Sequence, residues 1–336
     1  MTEPTQTEPT QIDLSVIIVS FNTRDLLRDC LQTLSRHQAG LGVQTIVVDN
    51  ASEDGSAEMV AAEFPDVLLI RSPVNLGFGP ANNRGFEQAR GRYLVLLNSD
   101  AFIEEDTLKR SVACMDAEPD VGLAGGRLVG RQGEWQPSAR MFPSLLNEFL
   151  TLTGLSARWP KSGFFGRVDR TWADPLAPAD VDWVPGAYSV IRASVLEQIG
   201  HFDPRFFLYF EEVDLCRRIK AAGYRIAYWP EIQVVHIGGE SSRTIKRLTF
   251  SGFGSQLTLW RMRSQALYHR KHQGLLGAWL SMQLESLWHR LRRWRNRISD
   301  SGERRAKAEE SAVIVKLWHQ AWRETERGRV SPPQPW

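Results

Sequence analysis

The chain has 336 residues, 42% hydrophobic and 24% charged, enough for a soluble globular body with a sizeable core, and no stretch reaches the roughly 18 apolar residues of a membrane span. The net charge of +2 hides an asymmetry: 22 Lys and Arg stand against 32 Asp and Glu in residues 1–242, but 19 against 7 in residues 243–336. A basic tail on an acidic body suggests that the tail meets something negative. Three cysteines without a CxxC pair argue against a disulfide framework or a zinc site and fit a reducing cytoplasm.

Residues 1–12 carry the tandem repeat TEPTQ-TEPTQ, polar and proline-bearing, which reads as a disordered tail and lacks the basic start and apolar run of a signal peptide. An apolar β-branched run at 14–19 reads as a buried strand. Thr23 is placed to cap a helix with Leu26, Leu27, Cys30, Leu31 and Leu34 on one face. Residues 45–48 form a second strand ending on Asp49, and 67–70 a third. A loop rich in glycine and asparagine, 75–79, leads into a helix over 80–90. Residues 93–97 make a fourth strand, ending on Asn98-Ser99-Asp100. Strands alternating with helices imply a parallel sheet covered on both faces, whose ligands bind beyond the strands' carboxyl ends. Residues 127–180, rich in Pro, Gly and Trp, read as long loops over the site. Regular structure returns at 181–191, with a helix at 193–199. An aromatic stretch at 202–210 enters a helix that starts on Glu211-Glu212, carries Val213, Leu215, Cys216, Ile219 and Lys220, and stops at Gly223. Two late strands follow at 225–229 and 232–236.

Four features carry chemistry. Asp100, at a strand end, is suited to Mg²⁺ or Mn²⁺, which take oxygen ligands from one or two carboxylates plus phosphates; the plain alternative is a helix cap leading into 101–109. Asp49, followed by Asn50, can bind a base or ribose, or form an Asx turn. Asn75, Gly77, Asn82 and Asn83 surround a helix start, where glycine allows close backbone approach and free N–H groups attract an anion. The run is neither GxGxxG nor a Walker loop, so nicotinamide and P-loop chemistry are disfavoured. His236 closes a strand before Gly238-Gly239, as a metal or phosphate ligand or a structural residue.

Together these pieces resemble the family 2 glycosyltransferases of the GT-A fold, in their rhamnosyltransferase-like branch. The resemblance rests on residues 15–22, Val47-Val48-Asp49-Asn50-Ala51-Ser52, Asn75-Leu76-Gly77-Phe78, Asn82-Asn83-Arg84-Gly85, Leu97-Asn98-Ser99-Asp100, Gly186-Ala187, Gly200-His201-Phe202-Asp203, residues 209–215, and His236 with Gly238-Gly239. It covers about residues 13–245, which would form the catalytic domain, with 246–336 a basic, Trp-rich helical extension. It implies that Val19, Phe21 and Asn22 line the nucleotide pocket and that Asp49 binds the base. Asn75, Gly77, Asn82 and Asn83 would support ribose and diphosphate. Asn98-Ser99-Asp100 occupies the family's DXD metal motif with Asn98 in place of the first Asp, and His236 would complete the site. Glu211-Glu212 matches the family's ED motif, whose second member is the base, here Glu212 in place of Asp. Glu211 and Asp214 stay open as alternatives. Asp214 could instead face the core or pair with Arg217 or Arg218. Trp183, Gly186 and Ala187 would meet the acceptor, with Tyr188 and residues 207–209 as further stacking candidates or core.

The implied reaction is inverting transfer of a sugar, with rhamnose from dTDP-rhamnose the first choice and UDP-sugars next, to a glycan or polyprenyl-diphosphate-linked acceptor in cell-surface polysaccharide synthesis. A sugar nucleotidyltransferase would need a Gly-rich, Arg-bearing loop after the first strand, where Ser20-Phe21-Asn22 stands; a catalytically inactive glycan-binding relative is the other alternative. In the tail, Leu276, Leu280, Leu284, Leu287, Leu291, Trp294 and Ile298 recur at three- and four-residue steps beside Arg290, Arg292, Arg293, Arg295 and Arg297. This pattern fits a helix on the inner face of the cell membrane, or a helical hairpin packed on the body or in a homodimer. No nucleic-acid reader motif accompanies the basic patch.

Overall fold

The computed structural model describes residues 12–38, 40–238, 254–298 and 301–333. The expected disordered tail (save Ile12), Gly239 and the boundary at 245/246 lie outside them. In chain order the elements are β1 (Leu14–Ser20), α1 (Arg24–Arg36), β2 (Val43–Asp49), α2 (Ser56–Glu63), β3 (Leu68–Arg71), α3 (Phe78–Phe86), β4 (Tyr93–Leu97), β5 (Ala101–Ile103), α4 (Thr107–Ala117) and β6 (Val121–Val129). They continue with β7 (Trp135–Gln136), α5 (Leu145–Leu152), α6 (Leu155–Arg158), β8 (Ala179–Asp180), β9 (Tyr188–Arg192), α7 (Ala193–Ile199), α8 (Glu211–Ala221), β10 (Arg225–His236), α9 (Gly254–Arg297) and α10 (Gly302–Glu324).

One sheet runs in the order β3-β2-β1-β4-β9-β6-β10-β5. The side β3-β2-β1-β4 is parallel, because each link is a helical crossover. Beyond it β9 runs antiparallel to β4 and β6, and β5 antiparallel to β10, so the expected α/β sheet is parallel on one side and mixed on the other. Both faces are buried, which explains the β-branched run in β1. Val16 and Ile18 join Leu27, Cys30 and Leu31 of α1 on one face, while Ile17 joins Phe86 of α3 and Ile219 of α8 on the other. Ser20 lies opposite Asp49, so the ends of β1 and β2 are level.

Four local expectations are revised. Thr23 precedes α1 without a side-chain cap bond; its hydroxyl donates instead to Ser99 Oγ (2.9 Å), and Asp54 accepts from the first helical N–H of Arg24 (2.8 Å). No helix follows Asp100: the chain continues directly into β5, which removes the capping alternative. The two late strands are one, β10, with a register shift between Trp229 and Gln233 beside Pro230, a residue with no N–H for the ladder. The region 127–180 is less irregular than its composition suggests, since Ser144 caps α5 through Asn147 N (3.2 Å).

The C-terminal helices form a hairpin packed on the body. α9 bends at Gly274, whose φ of 74° and ψ of −174° are not helical. Before the bend, Leu267 and Tyr268 are buried with Phe206 and Val213. α10 closes a second small core in which Leu259, Met262 and Met282 meet Leu317 and Trp318. Glu148 of α5 bonds both His269 and Ser281 of α9.

Candidate active site

A cleft of about 230 Å³, partly open to solvent, lies at the carboxyl ends of β1, β2 and β4. Val19, Phe21, Asn75, Gly77, Asn98, Ser99 and Asp100 line it, seven of the residues singled out from the sequence. Asn50 staples its floor. The Asn50 amide donates to Asn75 Oδ1 (2.9 Å) and the Gly77 carbonyl (3.1 Å), and its oxygen accepts from Leu76 N (2.8 Å). Gly77 is required on two counts: its φ is +83°, and a Cβ there would lie 2.0 Å from the Phe207 carbonyl oxygen. That carbonyl accepts from Phe78 N (2.8 Å), which fixes the aromatic loop against the start of α3.

Asp49 is 4% exposed beside Asn50. Its Oδ2 accepts from Ser52 N (3.2 Å), the Asx turn, while Oδ1 has no partner among the described residues. Burial raises its pKa. A buried acceptor without a donor calls for one from outside the chain.

Asp100 and Asn98 meet His236 from the far side of the sheet. His236 Nε2 lies 3.5 Å from Asp100 Oδ1 and 3.5 Å from Asn98 Nδ2. β10 reaches this point because Ile237 N donates to the Asp100 carbonyl (3.0 Å). Gln136 orients the imidazole: its amide N donates to the His236 carbonyl (2.8 Å), which turns its oxygen toward Nδ1 (2.9 Å). Nδ1 is therefore the donor in that bond, and Nε2 is the ring nitrogen that faces Asp100 and Asn98. Among the described residues no group of three His, Cys, Asp or Glu gathers. One carboxylate, one imidazole and a carboxamide fit a hard divalent cation that takes its remaining ligands from phosphate and water.

The turn before α8 is strained: Tyr209 and Phe210 both have φ of 68°, in the left-handed region that non-glycine residues rarely adopt. Glu211 and Glu212 follow it at once; Tyr209 lines the cleft and the two glutamates do not. Each glutamate has a buried Oε2 with no partner among the described residues. Burial raises both pKa values, and the neighbouring Glu212 charge adds to the rise at Glu211. Gly79 of α3 is the close neighbour of Glu211, where a Cβ would sit 3.3 Å from that of the glutamate. Two desolvated carboxylates, each with one oxygen unpartnered among the described residues, suit proton transfer.

Other expected site residues make bonds or contacts within the fold. Asp214 is fully buried and accepts from Arg218 (2.9 Å), Lys271 (2.7 Å) and His272 (2.7 Å), which lower its pKa against the effect of burial. It holds α9 on α8 and pairs with Arg218 as one alternative had it. Asn83 trades two bonds with Phe202, its amide donating to the carbonyl (2.9 Å) and its oxygen accepting from the N–H (3.0 Å). Asn82 donates to Phe78 O within α3 (2.9 Å), and Asn22 accepts from Glu53 N (2.7 Å). Ala187 is core, Tyr188 is core with its hydroxyl on Ser111, and Gly186 lets the Phe78 ring approach within 3.0 Å of a would-be Cβ. Trp183 donates to Met141 O (2.9 Å) under the Arg140 guanidinium, whose charge also reaches Glu212.

Four contributors were missed in the sequence. Gln136 and Arg140 lie in the irregular middle, where no spacing marks them. Leu257 and Trp260 enter the cleft from α9, with Trp260 against Phe207 at 4.9 Å between ring centroids.

Residues 15–177 match the family described as glycosyl transferase family 2. The chain is similar to that family over this segment, just under half of its length. It is 27% identical over 234 residues to an N-acetylglucosaminyl-diphospho-decaprenol L-rhamnosyltransferase of Mycobacterium tuberculosis, covering 66% of this chain and 75% of the relative. It is 24% identical over 267 residues to the rhamnosyltransferase WbbL of Escherichia coli (strain K12), covering 75% and 91%. A mannosyltransferase from Pyrobaculum calidifontis, solved with GDP-Man and Mn²⁺, superposes with a TM-score of 0.52 at 16% identity, over 95% of this chain and 90% of that one. The fold is therefore GT-A, and the sequence is similar to those of rhamnosyltransferases.

Proposed function

We propose that the chain transfers rhamnose, with inversion, from dTDP-rhamnose to a lipid-linked glycan in polysaccharide synthesis. The observation that carries this reading is the convergence of Asp100, Asn98 and an oriented His236 at the rim of the cleft, with two desolvated carboxylates at the start of α8, each holding one oxygen without a partner among the described residues. The relatives named for rhamnosyl transfer, one of them to a diphospho-decaprenol acceptor, support the choice of donor and acceptor.

In this reading Phe21 and Val19 hold the nucleotide, and the open oxygen of Asp49 accepts a base N–H. Asn75, Gly77, Asn98 and Ser99 face the ribose and diphosphate. Asp100 and His236 would hold Mg²⁺ or Mn²⁺, which when bound neutralises charge on the departing diphosphate. Glu212 takes the proton of the acceptor hydroxyl as its oxygen bonds to the anomeric carbon. The carbon–oxygen bond to the diphosphate breaks on the opposite face, which inverts that centre. Trp183 and Tyr209 flank the acceptor. Residues 13–245 form the catalytic unit in this scheme, with α9 completing its cleft.

A thermal-shift panel of nucleoside diphosphates with and without Mn²⁺, followed by donor turnover, tests the reading. dTDP with Mn²⁺ should raise the melting temperature most. Turnover should need the cation and fall to background in Asp100→Ala. Turnover that ignores both would overturn the metal assignment; silence toward every donor would favour an inactive glycan-binding relative.

A further inference from the structure

The second half of α9 turns most of its large apolar side chains outward. After the bend at Gly274, its buried face carries Ser281, Glu285, Ser286, His289 and Asn296, with Ala278 and Met282 among them. Its outward face carries Leu276, Leu287, Leu291, Trp294 and Ile298, each more than half exposed, with Leu280 between them. At 3.6 residues per turn the two sets sit about half a turn apart. A helix facing water shows the reverse arrangement. The outward stripe spans about 33 Å at 1.5 Å per residue.

We propose that this stripe is a docking face for an anionic lipid surface. Residues 286–299 hold five arginines and no Asp or Glu. On the helical wheel Arg290 and Arg297 fall on one flank of the stripe and Arg295 on the other. Arg293, Arg295 and Arg297 are exposed. Arginines beside a leucine stripe bury their stems in the headgroup layer while their charges meet lipid phosphate, and Trp294 sits at the same depth. Two copies of this face placed together would oppose arginine to arginine, so a second copy suits it poorly. No helix among the described residues is long and apolar enough to cross a membrane, so the stripe lies along the surface. The first half of α9 lines the cleft with Leu257 and Trp260, so docking would set the cleft close to the lipid. The inference is independent of donor, metal and base.

Flotation of the full chain with vesicles tests it. Wild type should float with mixed phosphatidylcholine–phosphatidylglycerol vesicles, more weakly with phosphatidylcholine alone, and less at high salt. The variant Leu287→Ser/Leu291→Ser/Trp294→Ser should lose about tenfold or more in partitioning. Arg293→Glu/Arg297→Glu should lose the preference for phosphatidylglycerol. These side chains are exposed, so melting temperature and donor turnover should match wild type. Three outcomes would overturn the proposal: no flotation of wild type, equal flotation of the triple variant, or a wild-type dimer in sedimentation that the triple variant dissociates. Loss of the transferase reading would leave the flotation result untouched.

Discussion

The two rims of the cleft are built by different means. The rim formed by β1, β2 and β4 is held by short bonds among its own strand-end residues. Asn50 gathers Asn75 and Gly77, and Thr23 reaches Ser99. The rim formed by the aromatic loop, α8 and α9 is held from far along the chain. Asp214 is bound by Lys271 and His272, and Ser264 donates to the Leu208 carbonyl (2.8 Å). The first rim carries backbone and carboxamide groups fit for a nucleotide. The second carries strain and desolvated carboxylates. Recognition needs groups held in place, which short local bonds provide, whereas a base needs a carboxylate kept out of water, and that takes distant packing to enforce.

The sharpest break of this comparison is Glu212→Gln. It should lower kcat by about 10²–10⁴-fold with donor affinity little changed. A larger loss in Glu211→Gln would move the base by one residue. The pH profile adds a sign. The base must be ionised, and burial raises the pKa of Glu212. Wild-type rate should therefore fall as pH drops through a value above the ordinary carboxylate range, and the variant's residual rate should lack that limb.

Gln136→Met tests the metal rim. It removes the group that fixes the His236 tautomer, and such partners typically cost 10–100-fold in metal affinity. A Mn²⁺ titration of turnover should shift to higher concentration, with kcat at saturation nearly restored. An unshifted titration would remove His236 from the cation.

Asp214→Asn should act on stability. Removing the charge of Asp214 takes the shared carboxylate from Arg218, Lys271 and His272, although Lys271 keeps Asp203 (2.8 Å), and costs about 3 kcal/mol. Denaturant unfolding should show it, while turnover of the folded protein stays within a few-fold. The folded pKa of Asp214 lies below its ordinary value. Its contribution is thus present above the unfolded pKa and is lost as pH falls toward the lowered folded one. The difference between wild type and variant should shrink in acid.

The difference between the rims also explains what the sequence made legible. β1, β2 and β4 announce themselves by β-branched runs buried on both faces, and their ends place Asp49, Asn98 and Asp100 by arithmetic alone. The Asn75–Gly77 loop is readable because a positive φ and a close carbonyl leave glycine little competition. Gln136, Arg140, Leu257 and Trp260 were not legible. Each reaches the site through pairing or packing across many residues, and no local period marks such a contact. Asp214 was legible in part: its pairing with Arg218, one turn on, follows from helix spacing, but its other two partners lie 57 and 58 residues further on.

Asn83→Ala is the smallest and most discriminating test. Family resemblance places Asn83 with the donor, and the geometry places it on Phe202. Both ends of its carboxamide are engaged there, at 2.9 and 3.0 Å, so little capacity remains for a phosphate or ribose oxygen. Loss of two part-buried bonds should cost about 1–2 kcal/mol of stability. The KM for donor should stay within about twofold, since a lost direct bond would cost at least 0.5–1.5 kcal/mol of binding. Melting temperature and KM therefore separate the two assignments in one variant. A stable protein with a tenfold higher KM would return Asn83 to the donor, and with it the view that both rims of the cleft recognise substrate directly.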